Sequence, residues 1–240
     1  MSRRKLKIVV HGEWGSGKSW LADSAPGPRL ILDAEGGVEF TPSRKIVWDP
    51  RLAPPEDLGP QDSAVVTITD MDVMAKVHQW LTQSPHPFRS IIIDSLTEMQ
   101  QRQKDRIKSP GQRMMMNDWG ELTDRTIGLI RVLRDYTLGV HPVDVVVIVC
   151  GSAEKGSEHP VTRPMLQGSA AEKILGYVDV GAFISIIEDD EGNLERRALF
   201  AQVNDIAAKD RTGKLGVTMD APTIPAMLDK IYGPEEDVDG

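Results

Sequence analysis

Between an apolar, β-branched run, LKIVVH, and a short helical segment, KSWLADSA, the sequence carries GEWGSGKS. That octet fits G-x-x-x-x-G-K-[ST] through Gly12, Gly17, Lys18 and Ser19. A strand that stops at a glycine loop which opens directly into a helix admits few folds, and all of them present backbone N–H groups to an anion. Gly12, Gly15 and Gly17 remove the Cβ atoms that would keep phosphate oxygens away, and Glu13, Trp14 and Ser16 fill the variable positions of the cradle. Lys18 offers a point charge to the β- and γ-phosphates, and Ser19 a hydroxyl to Mg²⁺. The competing reading is a glycine-rich turn with no ligand. The strand-loop-helix setting favours the phosphate site.

The rest of the chain is consistent with such a core. RLILDAEGG, AVVTIT, RSIIIDS and VDVVVIVCG read as buried strands. MDVMAKVHQWL, LTEMQQRQKDRIK and a long segment with Leu122, Leu129, Ile130 and Leu133 on one face read as helices, the second ending at Ser109-Pro110-Gly111. The Pro-rich stretch at 49–63 reads as a surface loop. VGAFISII and RRALFAQV flank EDDEGN, a hairpin turn. Near-continuous apolar strands alternating with helices predict an α/β fold: a mainly parallel twisted sheet with helices on both faces and an antiparallel C-terminal hairpin. One domain over 1–232 and an acidic tail over 233–240 follow. The single cysteine, Cys150, excludes an internal disulfide and a cysteine metal site. Neither a signal-peptide core nor a membrane-length apolar stretch is present, so the expectation is a cytoplasmic chain with no membrane partner.

A phosphate loop needs a carboxylate at the end of a neighbouring strand to order Mg²⁺, and Asp94, which ends IIID, fits; the alternative is a helix cap. Hydrolysis needs an acid that positions water. Glu35 in LDAEGG lies at the carboxyl end of another strand, with Asp33 and Glu98 as competitors.

GEWGSGKS, ILDAEGG and IIIDSLTEM, in that order, resemble the RecA family of recombination ATPases, in particular the short, core-only RecA-like proteins encoded by phages, some of which act in single-strand annealing. The resemblance covers roughly residues 5 to 215. It implies a RecA-like core that uses ATP and Mg²⁺, with Glu35 as the catalytic glutamate and Asp94 as the Mg²⁺-ordering aspartate. It also implies that loops at about 109–118 and about 152–168 line a single-stranded DNA path. The net charge of −8 means that any such contact must be a local patch. Arg102, Lys104, Arg106, Lys108 and Arg113 face only Asp105 in sequence, and Met114, Met115, Met116 and Trp119 follow as groups that stack on or wedge between bases. The alternative is a solvated helix face over an apolar core. The second loop holds Lys155, His159 and Arg163; His159 has no partners at metal-binding spacing. By the same resemblance, Lys209 and Arg211 reach a neighbouring copy's γ-phosphate, against a polar turn as the alternative.

Two departures stand out. VCGSAEKG lacks the family's γ-phosphate-sensing glutamine, which leaves Ser152 or Glu154 in its place. Only MSRRK precedes the first strand, so the segment with which RecA polymerises has no counterpart. The implied function is a Mg²⁺-dependent, ATP-hydrolysing protein that acts on single-stranded DNA in recombination, repair or replication, as a homo-oligomeric ring or filament, with a single-strand-binding protein as a further partner and the host cytoplasm as its place if phage-encoded. The alternatives are an ATP-gated annealing protein with dispensable hydrolysis, and a nucleotide-kinase-type phosphotransferase, for which the chain lacks a compact arginine-rich lid.

Overall fold

LKIVVHG forms strand β1 (Leu6–Gly12), and its apolar side chains are buried because the strand is covered on both faces. The computed structural model describes residues 4–108, 111, 113–156, 158–188 and 191–235. Ser109, Pro110, Asp189, Asp190 and most of the acidic tail, residues 236–240, lie outside the described residues. In chain order β1 is followed by α1 (Lys18–Asp23), β2 (Arg29–Asp33), β3 (Arg44–Val47), β4 (Asp62–Thr67), α2 (Met71–Gln83), β5 (Ser90–Asp94), α3 (Leu96–Ile107) and α4 (Met116–Asp135). Then come β6 (Val145–Lys155), β7 (Val161–Pro164), α5 (Ala170–Tyr177), β8 (Val180–Glu188), β9 (Leu194–Leu199), β10 (Lys209–Asp210), β11 (Thr218–Asp220) and α6 (Ile224–Tyr232).

The sheet runs β11-β9-β8-β1-β6-β5-β2-β4-β3. The strands from β8 to β3 are parallel, whereas β9 pairs antiparallel with β8 and β11 with β9. This is an α/β fold: a mostly parallel central sheet flanked by helices, with antiparallel C-terminal strands. Alternation along each strand divides the interior in two. Val9, Leu32, Ile91, Ile93 and Ile148 face the side covered by α2 to α5, and Ile8, Val10, Ile92, Val147 and Val149 face the side covered by α1 and α6. Each such fully buried aliphatic side chain contributes roughly 1.5–3 kcal/mol, so both faces strongly fix the register. The stripe Leu122, Leu129, Ile130 and Leu133 is buried as its spacing predicts. Local chemistry sets the helix starts: Asp70 accepts the Asp72 and Val73 N–H groups ahead of α2, Ser95 accepts that of Glu98 ahead of α3, and Thr223 that of Ala226 ahead of α6.

The two expected loops are shorter than predicted. α4 begins at Met116, so residues 116–118 of the expected 109–118 loop belong to a helix. β6 continues past the sheet to Lys155 and folds back on β7, with Ser152 opposite Pro164 and Lys155 opposite Val161, which makes 152–164 a two-stranded ribbon. Its glycine and proline interrupt neither arm: Gly156 has φ of 122° and sits with Pro160 in the turn. In the surface stretch, β4 already starts at Asp62, and the short edge strand β3 precedes it. Among the described residues no helix is long and apolar enough to cross a membrane.

Candidate functional site

The carboxyl ends of β1, β2, β5 and β6 form one rim, where open parallel sheets place their ligands. The loop after β1 turns through Gly15 at φ 71° and Gly17 at φ 90°, conformations that a side chain resists. Gly12 has a different reason: a Cβ there would run into the Ile184 carbonyl and lie 2.8 Å from Ser16 Oγ. The loop is tied around one acceptor, since the Ser16 hydroxyl (2.8 Å) and Lys18 Nζ (2.7 Å) both donate to the Glu13 carbonyl. Trp14, at the tip, is 91% exposed. No side chain caps the N–H groups that follow Gly17, which leaves them for an external acceptor.

Asp94 arrives beside this loop at the end of β5 and takes a hydrogen bond from the Ser19 hydroxyl. Burial, with Glu35 and Asp33 nearby, pushes its carboxyl up to about 6. Burial holds Lys18 below the usual lysine range, against the pull of Glu35, Asp94 and Glu13. The three candidate water-positioning acids separate cleanly. Asp33 accepts the N–H groups of Glu35 (3.1 Å) and Gly36 (2.7 Å), so it builds the turn that presents Glu35. Glu98 is paired with Arg102 at 3.2 Å. Glu35 is exposed, receives the Ser95 hydroxyl, and lies within electrostatic reach of Lys18 and Asp94.

A hydroxyl and a carboxylate are hard oxygen donors that suit Mg²⁺, which is held by one or two protein groups with phosphates supplying the rest. Among the described residues there is no group of three or more His, Cys, Asp or Glu that could hold a metal ion.

His11, beneath the loop, went unnoticed in sequence. It is fully buried; Nε2 donates to the Ala207 carbonyl (2.7 Å), which leaves Nδ1 to accept from Ser152 Oγ (2.8 Å). Burial pulls it down to about 4. Ser152 is therefore held by the end of β1.

His11 and Asp94 have opposite linkage to pH. With its folded value raised from 3.8 to about 6, Asp94 favours the folded chain at the acid end and loses that contribution as pH rises through this window. With its value depressed from 6.5 to about 4, His11 favours the folded chain above the window and loses that contribution as pH falls through it. Each is worth roughly 3 kcal/mol, so they nearly cancel. In Mg²⁺-free buffer, Asp94→Asn is expected to be more stable than the natural chain by roughly 3 kcal/mol at pH 7, with the gain gone near pH 4. Urea unfolding at both pH values measures it; a gain that does not shrink in acid contradicts a buried, raised Asp94.

The basic run is partly spent inside the fold. Arg102 donates to the carbonyls of Ala34 (2.8 Å) and Thr69 (3.3 Å), Arg106 pairs with Asp72 at 3.4 Å, and Lys104 lies 5.6 Å from the Trp119 ring centroid. Lys108, Arg113 and, on the ribbon, Lys155 are exposed, while Arg163 pairs with Glu172 at 2.8 Å. Lys209 donates to the Leu175 carbonyl, and Arg211 binds the Gly176 carbonyl (2.9 Å) and Asp179 (3.2 Å). Lys209 lies opposite Gly181, at the end of β8 remote from the phosphate loop.

A cavity of about 810 Å³ lies against α1, lined by Trp20, Asp23, Arg29, Ile186, Leu194 and Arg196 among others, and Arg196 joins it to Gly17 of the loop. Arg196, on β9, also escaped the sequence reading.

The model of the family described as AAA domain matches residues 4–212. No curated protein matches the chain. Among solved structures, a prototypical ATPase from the type III secretion system of pathogenic bacteria is similar over 75% of this chain, at 12% identity and a TM-score of 0.44. This chain covers 52% of that one, about half its length.

Proposed function

This chain belongs to the AAA domain family, and from that premise we propose that it is a RecA-like ATPase that hydrolyses ATP with Mg²⁺ while acting on single-stranded DNA in recombination, repair or replication. The observation that carries the nucleotide reading is the meeting of Lys18, Ser19, Asp94 and Glu35 at one rim, although they come from three separate strand ends. The loop N–H groups and Lys18 hold the β- and γ-phosphates, and the cavity beside α1 takes the base and ribose. Ser19 and Asp94 would hold Mg²⁺, which would supply positive charge to the phosphates when bound. Glu35, steadied by Ser95, orients a water and takes its proton as the oxygen attacks phosphorus and the bond to ADP breaks.

For the DNA reading, the support is placement. α3 leaves the rim at β5 and α4 returns antiparallel to it, with Gln100 bonded to Thr126 and Lys104 against Trp119, so the end of α3 and the start of α4 stand away from the sheet on the rim side. The β6–β7 ribbon projects beyond the same rim. Lys108, Arg113 and Lys155 remain exposed there, together with Met115 and Met116, the last 87% exposed. Basic groups interleaved with exposed apolar ones suit a backbone with stacked bases. Assembly of copies in a ring or filament would bring Lys209 and Arg211 to a neighbour only after each left its present partners.

The test is steady-state ATP turnover with Mg²⁺, with and without single-stranded DNA, at two salt concentrations. Stimulation that weakens with salt is expected. Turnover indifferent to DNA would refute the DNA half of the proposal, and absence of turnover the ATPase half.

A further inference from the structure

Arg196 stands where no charge of its own chain accounts for it. Its Nε and Cδ pack against Gly17 so closely that a Cβ on Gly17 would overlap both. Its guanidinium carbon lies 4.8 Å from the centroid of Trp20, one turn further along α1. The side chain is half-buried, and among the described residues it has neither a carboxylate partner nor a hydrogen bond from its guanidinium. The neighbouring arginine, Arg197, shows the ordinary arrangement on the same strand: it is paired through two nitrogens with Asp220. The Arg196 guanidinium keeps five donors in a rigid fork, and none of its nitrogens is both buried and unpartnered, so they are open to an acceptor from outside the chain.

Its position says which acceptors. On one side lies the glycine loop, on the other the cavity that Arg196 itself lines with Trp20, Ile186 and Leu194. A nucleotide whose terminal phosphates sit in the loop and whose base and ribose sit in the cavity must pass its first phosphate, the one next to the ribose, across that junction. Stacking on Trp20 orients the fork without using its N–H groups, so the donors stay available. We propose that Arg196 is a phosphate-binding residue supplied by the β8–β9 hairpin, and that it grips the ribose-side phosphate of a bound nucleoside di- or triphosphate. This rests on the nucleotide reading above and adds the residue that ties the antiparallel C-terminal strands to the bound nucleotide.

The ribose-side phosphate is common to ATP and ADP, which makes the proposal separable from a γ-phosphate contact. Binding of fluorescent ATP and ADP analogues, with Mg²⁺, is measured for the natural chain, Arg196→Gln and Arg196→Lys. Arg196→Gln is expected to weaken both nucleotides by the same factor, roughly 10- to 100-fold. Arg196→Lys, which keeps the charge and loses the fork, is expected to recover only part of that. Melting of each chain without nucleotide checks that it is folded, and if the glutamine variant is not, the lysine variant carries the comparison. Unchanged affinity in a folded variant, or a loss confined to the triphosphate, overturns the assignment of Arg196. A natural chain that binds neither nucleotide overturns the underlying reading, and this one with it.

Discussion

Lys18→Ala is expected to abolish ATP turnover to within measurement, a fall of at least the roughly 10²–10³ that follows removal of a single hydrogen-bond donor to a transition state. The reason lies in the company that Lys18 keeps. Its ammonium faces Glu35 and Asp94, two carboxylates that a triphosphate would have to approach, and it is the loop cation set against them. Without it, the terminal phosphates meet the Glu35 and Asp94 carboxylates with no loop lysine set against them. Among the described residues the hydrogen bond of the lysine is to the Glu13 carbonyl, so the variant should still fold and unfold cooperatively. Phosphate release beside a urea melt separates the two effects. Wild-type turnover in a folded variant would remove the octet from the site.

Glu35→Gln is expected to leave ATP binding intact and to cut turnover by roughly 10²–10⁴, the contribution of a positioned general base. The amide can still accept from the Ser95 hydroxyl, so geometry is preserved while the capacity to take a proton is lost. Single-turnover hydrolysis alongside equilibrium binding reads both. If annealing of complementary strands persists in this variant, ATP serves as a conformational ligand and hydrolysis resets the protein rather than driving the reaction. Unimpaired hydrolysis would instead hand the role to a group other than Glu35, and Asp33 and Glu98 are already committed to a turn and to Arg102.

The parts of the molecule that were readable in sequence are those whose physics is local. Glycines at Gly15 and Gly17 mark the backbone conformations of a phosphate loop, IIID announces a buried strand that ends in a carboxylate, and the Leu122 to Leu133 stripe declares its face by spacing. What escaped depends on partners distant along the chain. Arg196 is an ordinary cation in LERRAL until folding sets it on Gly17, and His11 is one residue of an apolar strand until Ser152 and Ala207 close on it. The ribbon was hidden for a related reason: glycine and proline suggested a loose loop, whereas the arms pair with each other and Thr162 also pairs with Ala207. Short elements such as β3, α5 and β11 carry too few residues to show a period.

The strand order has a consequence for biosynthesis. β1 leaves the ribosome first, yet both strands that flank it in the sheet are made much later: Leu6 awaits Val145, and Ile8 awaits Val180. While the first half of the chain is being translated, β2, β4 and β5 can already associate, but the glycine loop hangs from a strand with two open edges. Nucleotide-binding competence should therefore emerge late and abruptly in synthesis, once β6 and β8 have both cleared the exit tunnel. Until then the nascent chain exposes LKIVV, a β-prone segment that invites capture by a chaperone or by another unfinished chain.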